Sequence, residues 1–419
     1  MKTQKYKNII NCNNTNFFKK MQLNQIILAL GAESAGNFSI YFSEKIYFSE
    51  NFDDLLDEKK YKNFQKSVLN FLKKNKIKPT IILTDLHPLY KTTIWGKKLA
   101  KNFKAKHIKI QHHLAHIFSA VNEKEIQNSF IGIACDGTGY GLDGKIWGGE
   151  IFNVKCQMSN VKYIERIGHL ENQIMIGGDL AVKEPARMLI SILDKIFSLR
   201  ETSRREKISN FSPLGKYPAK TQCSNFKNKK NFIYHYIKKY YTKNQFKLLY
   251  NQLQQNFNCQ ETSSTGRILD AVSILLGFCK NERNYKHEPI DLLEKNSTTP
   301  YKNLKLKISS YKLKAKNYQL LETTPLFKYL IKNLHCDKKR LAATAQLYIA
   351  QGLYKIILKS KILNLKSKFF FSGGIANNKI ISNYLKLKSI YISKKIPCGD
   401  AGISMGQIMY YISAISLKN

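Results

Sequence analysis

Three of the nine histidines fall within five residues, in Gln111-His112-His113-Leu114-Ala115-His116. His112 and His116 stand four apart. On a helix both imidazoles would share one face, about 5–6 Å apart at Cβ, and could chelate one divalent metal ion. Imidazole suits zinc or iron. Two nitrogens do not complete a site, so a carboxylate must come from elsewhere. Asp136 closes the apolar run Phe130 to Cys135, and a strand-end carboxylate can hold a metal. Asp400 precedes the last helix. It is either an N-cap or the acid that completes a His/His/Asp set.

Two glycine motifs could serve phosphate. Asp136-Gly137-Thr138-Gly139-Tyr140-Gly141 follows an apolar strand, and its backbone N–H groups could approach phosphate oxygens. Phe371-Ser372-Gly373-Gly374-Ile375-Ala376-Asn377-Asn378 reads as strand, double glycine, then helix, a geometry that admits a nucleotide at a helix N-terminus. Each is also compatible with a plain turn. The eight cysteines are scattered, and none forms a C-x-x-C pair, so zinc ribbons are excluded. Reduced thiols are the expected state, with Cys398 a bystander.

The elements around these motifs alternate. A strand (Gln25 to Leu30) has a hairpin partner (Asn37 to Phe42). A helix follows over Asp54 to Asn75, acidic early and Lys-rich late, as the helix dipole favours. Strand Thr80 to Thr84, helix Thr93 to Asn102, strand His107 to Gln111 and helix His112 to Val121 complete an α/β lobe. A second strand set opens at Phe130, with Trp147 to Val154 beside it. Helices are expected at Ala181 to Phe197, Thr265 to Cys279, Thr324 to Leu334 and Arg340 to Leu363. Strands Phe369 to Phe371 and Ser389 to Ile392 and a last helix from about Gly402 close the chain. The expected organisation is a flexible basic tail (1–22) and two lobes with a cleft between them. Lobe I spans 23–125 and is closed by the helix 403–419; lobe II spans 126–402, with a helical insertion near 200–260.

The 419 residues carry a formal charge of +40. At face value that points to nucleic acid or an anionic surface. Only eight of the 69 basic residues are Arg, and the Lys are spread along the whole chain. Arg supplies most bidentate readout of base and phosphate, so a nucleic-acid partner is not expected. No run of eighteen apolar residues exists, so no membrane span is expected. The N-terminus has no apolar signal region, which makes the cytoplasm the expected compartment.

In combination and order, these motifs resemble the hydrogenase-maturation carbamoyltransferases of HypF type, in their C-terminal Kae1-like region. The resemblance covers roughly residues 25–415. It adds Leu30-Gly31-Ala32-Glu33, Thr84-Asp85-Leu86-His87-Pro88, Ile146-Trp147-Gly148-Gly149-Glu150, Gly177-Gly178-Asp179, Glu184-Pro185, Gly266-Arg267 and Asp400 with Gly402-Ile403-Ser404 to the motifs above. It implies a two-lobed α/β fold of the actin/Hsp70/sugar-kinase-like type with a nucleotide and metal cleft. It further implies metal ligation and catalysis by His112, His116, Asp136 and Asp400. Gly137, Thr138 and Gly139 would face phosphate, and Gly266, Asp270, Gly373, Gly374 and Asn377 the nucleoside. The implied substrate is an adenine nucleotide, carbamoyl-adenylate or ATP. The implied reaction passes the carbamoyl group to the C-terminal Cys thiolate of a HypE-type maturation protein, toward the cyanide ligands of a NiFe centre.

The sequence also departs from the family. It holds no acylphosphatase domain, paired zinc fingers or YrdC-like domain, so a separate YrdC-like carbamoyl-adenylate synthase is the expected partner. Tyr285-Lys286-His287-Glu288-Pro289 stands where the family usually has E-G-Q-A-A, and Glu33-Ser34-Ala35-Gly36-Asn37 where it usually has E-L-K-N-T. Two other readings remain open at this level: transfer to tRNA or a small hydroxyl compound, and a non-catalytic nucleotide-binding scaffold.

Overall fold

The computed structural model describes residues 9–11, 25–121, 129–157, 160–203, 226–313, 316–360 and 368–414. Most of the expected tail and part of the expected insertion (204–225) lie outside them. The chain divides into two compact units. One comprises Met1–Ile167, Ser360–Asn377 and Leu385–Asn419, the other Gly168–Lys359 and Asn378–Tyr384.

The first unit contains a six-stranded sheet. Its order is Ile9–Asn11, Lys45–Phe48, Ser39–Phe42, Ile27–Ala29, Ile81–Asp85 and Lys106–Ile110. The last three strands run parallel, and Ser39–Phe42 with Lys45–Phe48 is the antiparallel hairpin. Ile9–Asn11, within the stretch read as a tail, pairs antiparallel with Lys45–Phe48. The helix expected over 54–75 runs from Glu58 to Lys74. Asp57 caps it by accepting the Lys60 N–H at 3.0 Å, with Glu58 in the first turn and Lys73 and Lys74 in the last. Phe64, Val68, Phe71 and Leu72 form its buried stripe, each contributing roughly 1.5–3 kcal/mol by leaving water.

A second sheet in this unit places Tyr391–Ile392, Lys368–Ser372, Phe130–Tyr140 and Ile146–Gln157 side by side. The strand from Phe130 does not turn at its glycines, as the motif alone suggested. It runs on to Tyr140, and the ladder slips between Cys135 and Gly139. Cys135 opposes Gly149 and Gly139 opposes Trp147. Asp136, Gly137 and Thr138 therefore bulge out of the ladder, which re-aims the Asp136 and Thr138 side chains.

The C-terminal helix Ile403–Ala414 packs on the helix His112–Val121 so closely that a Cβ at Gly406 would lie 1.8 Å from the Ala115 carbonyl. Its Gln407 side chain accepts the Gly31 N–H at 3.0 Å and donates to the Gly31 carbonyl at 3.4 Å.

The second unit is mainly helical, with Ala186–Ser203, Phe226–Ile237, Lys243–Gln254, Thr265–Leu276, Thr324–Lys332 and Lys338–Lys359 as its larger helices. The expected helix 181–197 is split: Leu180–Lys183 is a separate turn, and Pro185 precedes the main segment. Strands Gln173–Ile176 and Cys259–Thr262 pair antiparallel, as do Ile308–Leu313 and Lys316–Leu321. Among the described residues no helix is long and apolar enough to cross a membrane.

Candidate metal centre

Every residue of the helix His112–Val121 is buried. Gln111 sets its start: the side-chain oxygen accepts the Leu114 N–H at 3.0 Å, while the amide donates to His113 Nδ1 at 3.0 Å and to the Tyr140 carbonyl at 3.1 Å. The first helical turn is thereby tied to the end of the bulged strand. Gly139 permits the approach, since a Cβ there would lie 2.4 Å from the His113 ring and 2.8 Å from the His112 ring.

His112 and His116 present Nε2 to the same two carboxylates. Asp136 Oδ2 lies 3.2 Å from His112 Nε2 and 3.4 Å from His116 Nε2. Asp400 Oδ1 lies 3.7 and 3.4 Å from the same nitrogens. All four donor atoms fall within 4.8 Å of one another. Asp136 arrives from the bulge, and Asp400 from the short 3-10 turn Asp400–Gly402 ahead of the C-terminal helix.

The arrangement fits a metal. Ligand bonds of about 2.0–2.2 Å in a tetrahedron give donor–donor edges of roughly 3.3–3.6 Å, close to the separations observed. Two carboxylates facing two imidazoles also need positive charge between them, supplied by protons or by a cation. Without an ion the protons dominate. Burial alone would lower the His112 pKa, but the Asp85 charge and hydrogen bonds with Asp136, Asp400 and Asp85 outweigh it and hold it well above the usual value. His116 is raised too, with burial opposed by bonds to Asp136 and Asp400. Burial would raise Asp136, and bonds from His112 and His116 instead hold it well below the carboxylate range. His113 is the exception. Burial and the His112 charge push it down to about 3, so it stays a neutral structural imidazole.

Gly373 and Gly374 lie against this group. Gly373 has φ +99°, and a Cβ there would meet the Cys135 carbonyl at 2.1 Å. The Gly374 N–H points to Asp136 Oδ1 at 3.3 Å. Asn377, which ends the 3-10 turn Gly374–Asn377, is exposed. Its neighbour Asn378 instead caps the next helix, accepting from the Ile381 N–H at 3.0 Å. Gly137 and Thr138 share the bulge with Asp136, and Gly139 rejoins the ladder opposite Trp147.

Gly266 and Asp270 belong to the second unit, on the helix Thr265–Leu276. The Asp270 carboxylate is fully buried, 3.0 Å from Arg267 Nη2 and 2.6 Å from Arg283 Nη2.

Sequence reasoning missed three contributors. Asp85 accepts from His112 Nδ1 at 2.7 Å. Ser34 donates its hydroxyl to Asp400 Oδ2, and the neighbouring Asn37 amide donates to the Ala401 carbonyl. Asp85 and Ser34 each lay inside a quoted motif, but nothing local in the sequence tells which histidine or acid they meet. Glu150, from the Trp-Gly-Gly-Glu stretch, is buried against Arg166 at 2.5 Å, whose guanidinium covers the Trp147 ring at 4.1 Å.

Fold and site together define an α/β protein with a buried two-histidine, two-carboxylate centre beside a glycine turn. Residues 132–407 match the family described as carbamoyltransferase, Kae1-like domain, second subdomain, and residues 22–123 match the HypF Kae1-like domain. The chain belongs to the HypF Kae1-like carbamoyltransferase domain family. It is 33% identical over 408 residues to the probable carbamoyltransferase HypF of Methanocaldococcus jannaschii, covering 94% of this chain and 47% of that protein. It is 28% identical over 402 residues to the carbamoyltransferase HypF of Synechocystis sp., covering 93% and 47%. The chain thus spans about half the length of the curated relatives it matches. The crystal structure of T. kodakarensis HypF superposes with a TM-score of 0.74 at 26% identity, over 94% of this chain and 48% of that one. A full-length HypF crystallised in the phosphate- and nucleotide-bound form gives 0.74 at 23% identity, over 96% and 47%. The α/β fold class expected from the sequence is thereby borne out.

Proposed function

We propose that this chain transfers a carbamoyl group from carbamoyl-adenylate to the C-terminal Cys thiolate of a HypE-type maturation protein, in the cytoplasm. The observation that carries the proposal is the convergence of His112, His116, Asp136 and Asp400 within 4.8 Å, next to the Gly373-Gly374 turn. A neighbour of the same fold was crystallised in the phosphate- and nucleotide-bound form, and the substrate proposed for this chain is an adenine nucleotide. We keep the lobe division at 23–125 with 403–419 and 126–402 as part of the same reading.

Carbamoyl-adenylate is a mixed anhydride, so its leaving group is already activated. The thiolate attacks the carbamoyl carbon, a C–S bond forms, and the C–O bond to phosphate breaks with its electron pair leaving on AMP. His112, His116, Asp136 and Asp400 would hold zinc or iron, which when bound supplies Lewis-acid polarisation worth several kcal/mol. Gly137, Thr138 and Gly139, with Gly373 and Gly374, would offer N–H groups to the departing phosphate. Asn377 would lie toward the nucleoside; Gly266 and Asp270 stay part of this proposal, Asp270 as the buried carboxylate that holds Arg267 and Arg283. Pinning both reactants removes much of the entropic barrier, and no protein nucleophile is needed. The activated donor would come from a YrdC-like synthase.

The test supplies the chain with carbamoyl-adenylate and a HypE-type acceptor and looks by mass spectrometry for a carbamoyl adduct on the terminal Cys. An adduct that disappears in His112→Ala supports the reading. No adduct on this acceptor, with a metal-loaded chain, overturns it.

A further inference from the structure

One buried carboxylate takes no part in the reading above. Asp85 ends the strand Ile81–Asp85 and is fully buried, and among the described residues no Lys or Arg pairs with it. Its Oδ2 lies 2.7 Å from His112 Nδ1. Its Oδ1 accepts the His87 N–H at 2.9 Å, and its backbone carbonyl accepts the Thr93 hydroxyl at 3.1 Å. Engaged on both oxygens and at the backbone, the carboxylate is fixed outside the four-donor group.

We propose that Asp85 is a positioning residue of the metal centre, which sets the His112 tautomer and turns Nε2 toward the ion. This rests on the metal reading of His112, His116, Asp136 and Asp400. An ionised carboxylate only accepts, so the proton belongs on Nδ1 and the lone pair on Nε2. Turning the ring over would break the 2.7 Å bond and leave the buried Asp85 Oδ2 without its donor. The negative charge behind the ring also makes Nε2 a stronger donor to a cation.

His116 provides the internal contrast. Among the described residues its buried Nδ1 has no hydrogen-bond partner, so that ring is held by packing and by its Nε2 contacts with Asp136 and Asp400. One imidazole is preset by a carboxylate and the other is not, and of the two imidazoles only His112 meets Asp85 directly.

The experiment uses the full chain, stripped with a chelator and titrated with Co(II). Visible ligand-field absorption reports the coordination, and competition with a chromophoric chelator reports the affinity. Asp85→Asn is expected to weaken Co(II) binding about 10–100-fold and to shift the absorption bands. The Asn amide can donate to Nδ1, which forces the proton onto the nitrogen that faces the ion. Asp85→Glu keeps the charge and is expected to recover part of the affinity. Circular dichroism of the metal-free variants checks folding. If Asp85→Asn does not fold, Asp85→Glu carries the test and must still bind Co(II) more weakly than wild type. Wild-type affinity and spectrum in a folded Asp85 variant overturn the positioning role. A wild-type chain that binds no Co(II) overturns the metal reading itself, and this inference with it.

Discussion

Gly374 donates its backbone N–H to Asp136 Oδ1 at 3.3 Å across 238 residues of sequence. The same carboxylate turns Oδ2 toward His112 and His116. Asp136 thus ties the glycine turn to the imidazole pair, and a disturbance of the turn reaches the metal donors through one side chain.

The two glycines should fail differently when changed to alanine. At Gly374 a Cβ would lie 2.9 Å from Asp136 Oδ1, so the carboxylate must move while the backbone is unstrained. Gly374→Ala is expected to fold and to lose roughly tenfold in metal affinity, the scale of a disturbed outer contact. Gly373→Ala meets a carbonyl at 2.1 Å with φ at +99°. It is expected to cost about 1–3 kcal/mol in strain or more. Urea unfolding beside a metal titration separates the two.

Much of the centre was legible because its signals are local. The four-residue spacing of His112 and His116 needs only helical periodicity, and Asp136 and Asp400 sit where strand and helix ends are readable. What stayed hidden was pairing at a distance. Asp85 reaches His112 across 27 residues and Ser34 reaches Asp400 across 366. The strand Cys259–Thr262 reads Cys-Gln-Glu-Thr, too polar to look like a strand until Gln173–Ile176 lies beside it. The helix Lys243–Gln254 has a capping box from Thr242 and Gln245, hidden in a Lys- and Asn-rich stretch. The glycines after Cys135 signalled a turn, whereas the structure uses them for a bulge and a close approach to the histidine rings.

The raised His112 and lowered Asp136 pKa values fix how the metal-free chain responds to pH. The His112 contribution is complete below its unfolded pKa of about 6.5 and is lost as pH rises through the higher folded value. The Asp136 contribution is complete above about 3.8 and is lost as pH falls through its lower folded value. The metal-free chain should therefore lose melting temperature on the alkaline side. Adding Zn(II) should remove that loss, because the ion replaces the protons, and metal affinity should climb with pH. Thermal melts from neutral to alkaline pH, with and without Zn(II), check both. A metal-free melting curve flat across that range counts against the charge assignment.

Asp270 gives a prediction in the second unit. Its carboxylate stands between Arg267 and Arg283 with no exposure to solvent. Removing one partner of a buried ion cluster costs about 3–5 kcal/mol, because the remaining charges stay uncompensated. Asp270→Asn is expected to lose stability on that scale in urea unfolding. Adding Arg283→Met should restore part of it by removing one of the two cations. An Asp270→Asn chain as stable as wild type would mean that the carboxylate holds nothing in place.

Ser34 tests whether a hydroxyl outside the four donors helps to place one of them. It stands within Glu33-Ser34-Ala35-Gly36-Asn37, and its hydroxyl donates to Asp400 Oδ2 while Oδ1 faces the two imidazoles. That bond steadies the carboxylate that the C-terminal turn delivers. Ser34→Ala removes one hydrogen bond to a charged group, worth roughly 1.5–3 kcal/mol, which corresponds to about a ten- to hundredfold loss if all of it falls on metal binding. Ser34→Thr keeps the hydroxyl and is expected to stay near wild type. The residue is half-buried, so little of the effect should fall on the melting temperature of the metal-free chain. Equal metal affinity in Ser34→Ala and wild type would show that Asp400 is placed by its own backbone turn, with the serine only a neighbour.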